Sequence, residues 1–218
     1  MKKGLVFCCV LLLAAGIIYL RKYPVPAVSD KVQEAKKVAL TFDDGPHQKY
    51  TKLLLDGLRE RNVKATFFLI GESIQGKEEL VEQMKEDGHL IGNHTYTHVQ
   101  LSKMGKDDAC AEIWKTNTAI YDITEQIPCF IRPPFGEWNE ELSCAVDMSV
   151  VLWDIDPQDW KYKDTKRVRD YVVKNVSDGD IILLHDVYKT SVEAALQIVD
   201  ILTEEGYEFV TVEEIIFD

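Results

Sequence analysis

The sequence has no CxxC pair, no internal repeat, no low-complexity tract and no excess of basic residues, and each absence removes a class of function. Without a CxxC, the five cysteines match neither a zinc knuckle nor a redox motif. Cys8 and Cys9 lie in an apolar N-terminal run, while Cys110, Cys129 and Cys144 are scattered through the rest of the chain. Three cysteines do not close a disulfide framework, so buried free thiols are expected, with a Cys129–Cys144 bridge as the alternative for a domain outside the cell. The 37 acidic residues outnumber the 25 lysines and arginines, giving a formal net charge of −12. Nucleic-acid binding draws its affinity from Lys and Arg neutralising phosphates, so nucleic acid is not an expected partner.

Long hydrophobic runs are also scarce. The one present extends from Gly4 to Leu20, between Lys2 and Lys3 on one side and Arg21 and Lys22 on the other. It is at the short end of the roughly 17–25 residues that cross a bilayer, yet longer than the apolar region of about 7–15 residues in most cleaved signals. We read residues 1–22 as an uncleaved, single-pass anchor in the cell membrane, with cleavage and secretion as the alternative. Basic residues on both sides leave the orientation to be settled by function. Residues 23–36, opening Tyr23-Pro-Val-Pro, read as a linker, and residues 37–218 as one catalytic-size domain.

Within that domain, short apolar or β-branched runs alternate with amphipathic stretches. Strands are expected near Val38–Phe42, Ala65–Ile70, Leu90–Gly92, Cys129–Ile131, Val150–Trp153, Asp180–Leu184 and Glu208–Val210. Helices are expected over Thr51–Arg61, Gln75–Asp87, Lys106–Thr124, Glu137–Ala145, Thr165–Asn175 and Val192–Glu205. Regular alternation predicts an α/β fold with a parallel sheet covered by helices, whose ligand site gathers on loops at the carboxyl ends of the strands.

The residues following those strands carry the chemistry. Asp43 and Asp44 are adjacent where the first strand ends; neighbouring carboxylates repel, and a cation relieves the repulsion. His94 and His98 are four residues apart, a spacing that lets two imidazoles face one ion from a single helical turn. Asp44, His94 and His98 then form a one-oxygen, two-nitrogen set with open positions, as in a catalytic metal site. Zinc suits these donors; cobalt, nickel and iron also accept them. Arg132-Pro-Pro-Phe-Gly136 offers a permanent cation on a stiff backbone, Asp156-Pro-Gln-Asp-Trp160 adds carboxylates and an aromatic surface, and Leu183-Leu-His185 ends a strand on a proton donor. His47 and His89 read as loop groups, Asp154 and Asp186 as solvated loop carboxylates bordering the site, and Trp114, Trp138 and Trp153 as core or partly exposed apolar residues.

Taken in order, Thr41-Phe-Asp-Asp44, His94-Thr-Tyr-Thr-His98, Arg132-Pro-Pro-Phe-Gly136, Asp156-Pro-Gln-Asp-Trp160 and Leu183-Leu-His185 resemble the five motifs of the NodB-homology polysaccharide deacetylases, carbohydrate esterase family 4. The resemblance spans about Val38 to Val212. It implies a distorted (β/α) barrel, a metal held by Asp44, His94 and His98, and Asp43 as general base steadied by Arg132. It further implies His185 as general acid tuned by Asp159, the Phe135 backbone N–H as oxyanion donor, and Trp160 and Leu183 around the acetyl methyl. Phe135 stands where the family commonly has Tyr; since the resemblance implies that the backbone N–H does the binding, the change bears on substrate preference and not on activity. The implied activity is metal-dependent N-deacetylation of an N-acetylated surface polysaccharide by a monomer. Outside the membrane, peptidoglycan is the nearest such polymer; chitooligosaccharides, O-acetylated xylan and a non-catalytic sugar-binding role are the alternatives.

Overall fold

Val38, Leu40 and Phe42 alternate with Ala39, Thr41 and Asp43 along the first strand, β1 (Lys36–Asp43), and this alternation sets the layers of the fold. The first three pack in a large core with the helices, whereas Ala39 joins Phe68, Phe130 and Val151 in a second cluster on the other face. The computed structural model describes residues 35–138 and 148–217. The expected anchor and all but the end of the linker lie outside those residues, as does most of the expected helix Glu137–Ala145. Among the described residues, no helix is long and apolar enough to cross a membrane.

Six further strands follow: β2 (Thr66–Leu69), β3 (Leu90–Asn93), β4 (Phe130–Ile131), β5 (Ser149–Val150), β6 (Ile181–His185) and β7 (Tyr207–Val210). All pair in parallel in the order β5-β4-β3-β2-β1-β6, with β7 beside the first half of β1. The helices are α1 (Tyr50–Glu60), α2 (Gly71–Ile74), α3 (Glu78–Glu86), α4 (Lys106–Thr124), α5 (Asp159–Tyr162), α6 (Thr165–Asn175), α7 (Lys189–Glu204) and α8 (Val212–Phe217). Thr51, Leu54, Leu55 and Leu58 form the buried stripe of α1. Gly57 lets this helix press against α7, because a Cβ there would stand 2.6 Å from Leu196 Cδ1.

The sheet curls into a half-barrel where a distorted barrel was expected, and one irregular run links its edges. Val151 N–H donates to Ile131 O at 2.9 Å, and four residues later Ile155 pairs with Ile182 of β6. Arg132 reinforces this seam from within: Nε and NH2 donate to the Val151 and Leu152 carbonyls (3.2 and 2.8 Å), and NH1 to Thr41 Oγ1 (2.6 Å). Its guanidinium is fully buried over the Phe68 ring.

The cysteine expectation is overturned. Cys110 is disulfide-bonded, its partner lying outside the described residues, while Cys129 is free and exposed, which rules out a Cys129–Cys144 bridge.

Candidate active site

Parallel strands deliver their carboxyl ends to one end of the sheet, and β1, β3, β4 and β6 end in Asp43, Asn93 next to His94, Ile131 next to Arg132, and His185. Register completes the convergence, since Asp43 is the Cα partner of His185 and Asn93 of Ile131. The resulting cavity of about 420 Å³ is lined by Asp43, Asp44, His94, His98, Phe135, Trp160, Leu183 and His185. Arg132 and Asp159, the two remaining predicted residues, lie fully buried behind it.

Asp44, His94 and His98 bring one donor atom each to within 4.8 Å of the others. His94 Nε2 and His98 Nε2 stand 3.5 and 3.3 Å from Asp44 Oδ1. Ligand atoms about 2.0–2.1 Å from a tetrahedral zinc lie roughly 3.3 Å apart, so these separations fit a shared ion. Two further observations agree. Asp44 Oδ1 is buried without a hydrogen-bond partner. His94 Nδ1 lies 2.6 Å from Arg132 O, and because a carbonyl only accepts, the proton is on Nδ1 and the Nε2 lone pair is left for a ligand. Burial pushes the His98 imidazole below its usual pKa despite the opposing Asp44 charge, favouring the neutral form that binds metal. Burial acts to raise the Asp44 carboxyl, but His94, His185 and His98 outweigh it and hold the group below the usual carboxylate value.

Asp43 is turned by a cation behind it. Arg132 NH1 donates to Asp43 Oδ1 at 2.9 Å, leaving Oδ2 on the side of the cluster, 3.8 Å from His94 Nε2. His185 is fixed by one carboxylate at two points: its backbone N–H donates to Asp159 Oδ2 and its Nδ1 lies 2.8 Å from Asp159 Oδ1. Its Nε2 then faces the cluster, 4.0 Å from Asp44 Oδ2. Burial alone would lower the His185 pKa; the Asp159 hydrogen bond and the Asp43 and Asp44 charges prevail, pushing it up to about 9.

Two features of the site differ from the expectation. His94 and His98 belong to an irregular loop rather than a helical turn, because Thr95 and His98 adopt left-handed φ values of 63° and 56°. Asp186 is no solvated carboxylate: it is fully buried, accepts from Thr51 Oγ1, and is pushed up to about 7 by burial. Its oxygens lie so close to Gly45 that a Cβ there would collide with them. Trp153, expected as core or partly exposed, is half-buried and lines the cavity, as does Tyr188, which no local motif marks. His47 is structural as expected, its Nδ1 accepting from the Lys49 and Tyr50 N–H groups at the start of α1. Trp138 packs against Leu101, Ala109, Ile113 and Ile131. A larger cavity of about 700 Å³ opens at the amino ends of β3 and β4, around His89 and Cys129, away from the carboxylates and imidazoles described above.

Residues 30–149 match the family model described as polysaccharide deacetylase. The chain belongs to the polysaccharide deacetylase family. Among the members of this deacetylase family, the peptidoglycan-N-acetylglucosamine deacetylase PgdA of Listeria monocytogenes is 38% identical over 185 residues, 85% of this chain and 40% of that protein. The peptidoglycan-N-acetylmuramic acid deacetylase PdaC of Bacillus subtilis is 40% identical over 180 residues, 83% of this chain and 38% of that protein. A solved structure of PdaC aligns with a TM-score of 0.81, covering 84% of this chain and 90% of that one. A family 4 acetyl xylan esterase from Clostridium thermocellum, solved with a cobalt ion, aligns at 37% identity with a TM-score of 0.78, covering 83% and 90%. The chain thus spans about two fifths of the length of PgdA and PdaC.

Proposed function

We propose that this deacetylase-family chain removes acetyl groups from N-acetylated amino sugars of peptidoglycan, releasing acetate and leaving free amines. The observation that carries this reading is the placement of Asp43 and His185 beside the Asp44, His94 and His98 set within one cavity. The naming of PgdA and PdaC as peptidoglycan deacetylases supports the choice of polymer.

A divalent ion held by Asp44, His94 and His98 would supply the Lewis acidity that polarises the acetyl carbonyl and makes water a nucleophile near neutral pH. Asp43 Oδ2, left open by the Arg132 contact on Oδ1, accepts the proton of the attacking water. The Phe135 backbone N–H, in a left-handed turn on the cavity wall, donates to the developing oxyanion. His185 protonates the departing nitrogen from Nε2, and Asp159 stabilises the imidazolium beforehand. Leu183 and Trp160 close around the acetyl methyl.

Zinc is the metal we assign, because His and carboxylate donors suit it; the same donors accept cobalt, the ion in the Clostridium thermocellum relative. We place the domain outside the cytoplasm, tethered by residues 1–22, and the Cys110 disulfide supports an oxidising compartment. Protease treatment of intact cells checks the placement: an epitope on the domain that survives digestion rejects it. Activity is tested on purified protein stripped of metal and reloaded with zinc, using peptidoglycan fragments and matched N- and O-acetyl sugars. Zinc-dependent acetate release from the N-acetyl substrates is expected. Release confined to O-acetyl sugars would make the chain an esterase, and none from either would leave a binding role.

A further inference from the structure

His94 and His98 sit in one loop but are held differently. His94 is fixed twice, by its backbone N–H to Leu69 O (2.9 Å) and by Nδ1 to Arg132 O. Among the described residues, no hydrogen bond other than any to Asp44 fixes the His98 ring, so its position depends on the loop backbone and on the Phe135 and His94 rings, each 5.0 Å away. That backbone is not a conformation the sequence favours, because neither Thr95 nor His98 is a glycine and both are left-handed.

The restraint comes from helix α4. Glu112 Oε2 accepts from Tyr96 N–H (3.1 Å), Thr97 N–H (2.7 Å) and Thr97 Oγ1 (3.0 Å). Two successive backbone N–H groups aimed at one oxygen form an anion-binding nest, and the carboxylate of Glu112 fills it. Glu112 is 8% exposed. A carboxylate withdrawn this far from water needs donors, and here all three come from the two residues preceding His98. Asn93 Oδ1 performs the corresponding task for Thr95 N–H at 2.7 Å, one turn of loop earlier and nearer His94.

We propose that Glu112 is a positioning residue for metal binding, acting through Tyr96 and Thr97 to hold His98 as the third ligand. The inference rests on the reading of Asp44, His94 and His98 as a metal set, but not on the identity of the substrate. It separates the ligands by their support: His94 is secured by the strands, His98 by a carboxylate outside the cavity.

The test is cobalt binding to metal-free protein, followed by visible absorbance and by chelator competition, with no substrate present. Glu112→Ala is expected to weaken cobalt affinity about 10–100-fold, the usual effect of losing an outer partner of a metal ligand. Glu112→Gln, which keeps one acceptor oxygen, recovers most of that loss. Because Glu112 acts through His98, Glu112→Ala adds little in a His98→Ala background. Wild-type cobalt affinity in Glu112→Ala, or full additivity with His98→Ala, overturns the proposal and leaves Glu112 as a structural staple. If Glu112→Ala does not fold, Glu112→Asp, too short to reach the loop, takes its place with the same two outcomes. Failure of the deacetylase reading would appear separately, as zinc-loaded wild-type protein that binds metal normally yet releases no acetate.

Discussion

Asp43 and His185 are Cα partners across the β1–β6 ladder, so the proposed base and acid stand side by side on neighbouring strands, on the same face of the sheet. Parallel pairing makes this unavoidable once Thr41 is matched to Leu183 two residues earlier. Each group is then turned by a different buried partner, Arg132 for Asp43 and Asp159 for His185.

Separate roles predict separate losses. Asp43→Asn and His185→Ala should each lower kcat by about 10²–10⁴-fold, the usual weight of a positioned acid or base. Metal stoichiometry should persist in His185→Ala and vanish in His94→Ala. Elemental analysis beside acetate release checks this, and equal metal content in the His185 and His94 variants would reject the assignments.

Arg132 is predicted to matter for folding as much as for catalysis. Its guanidinium joins Asp43, Thr41 and the carbonyls of the seam between β4 and β6 in a site with no exposure to water. Removing one partner of a buried ion pair strands the other, at a cost of about 3–5 kcal/mol. Arg132→Ala should therefore lower the stability by that order in urea unfolding, and Arg132→Lys should restore little, because one ammonium cannot reach donors spread over such a fork. A near wild-type midpoint for Arg132→Lys would show that charge alone is needed.

Six of the seven expected strands lie where short apolar runs bounded by turns put them, but the expected strand Val150–Trp153 is a correction: β5 is Ser149–Val150, and Val151–Trp153 is irregular chain bridging toward β6. Two helices, Lys106–Thr124 and Thr165–Asn175, have the bounds that periodicity and flanking residues predict. The short helices Gly71–Ile74, Asp159–Tyr162 and Val212–Phe217 were not legible, since one turn or so shows no period. At the site, motif order named Asp43, Asp44, His94, His98, Leu183 and His185, which the cavity gathers from β1, β3, β6 and the loops after them, but not Tyr188. What spacing could not reveal was backbone hand: the four-residue interval of His94 and His98 suits a helix until Thr95 and His98 turn left-handed. Nor could it reveal Glu112, whose partners are 15 and 16 residues away and which looks like any carboxylate on an amphipathic helix.

The Asp159–His185 pair predicts an alkaline loss of stability in the metal-free protein. An imidazole titrates near 6.5 in an unfolded chain, and His185 is pushed up to about 9 in the fold. Between those values the folded protein keeps a proton that the unfolded chain has released. The stabilisation is therefore complete below about pH 6.5 and is lost as the pH rises through 9, amounting to about 3 kcal/mol. Asp159→Asn should bring the His185 titration down toward or below 6.5 by nuclear magnetic resonance and flatten the alkaline slope. An unchanged titration in that variant would mean that Asp159 does not hold the proton.

His89 predicts the opposite limb, at a distance from the catalytic groups. Burial pushes its pKa down to about 4, with the Asp87 charge opposing and Arg59 and Lys64 assisting. Its Nδ1 accepts from Ala65 N–H at 3.1 Å, which fixes the neutral ring with the proton on Nε2. The unfolded chain takes up a proton near 6.5 while the folded protein resists until about 4, so stability is whole above 6.5 and falls as the pH drops through that interval. The gap again corresponds to about 3 kcal/mol. His89→Asn, whose side-chain oxygen can accept from Ala65 N–H but does not titrate, should lose this acid slope. Urea unfolding of both proteins at pH 7, 5.5 and 4.5 measures it. Parallel slopes would show that His89 does not carry the acid sensitivity.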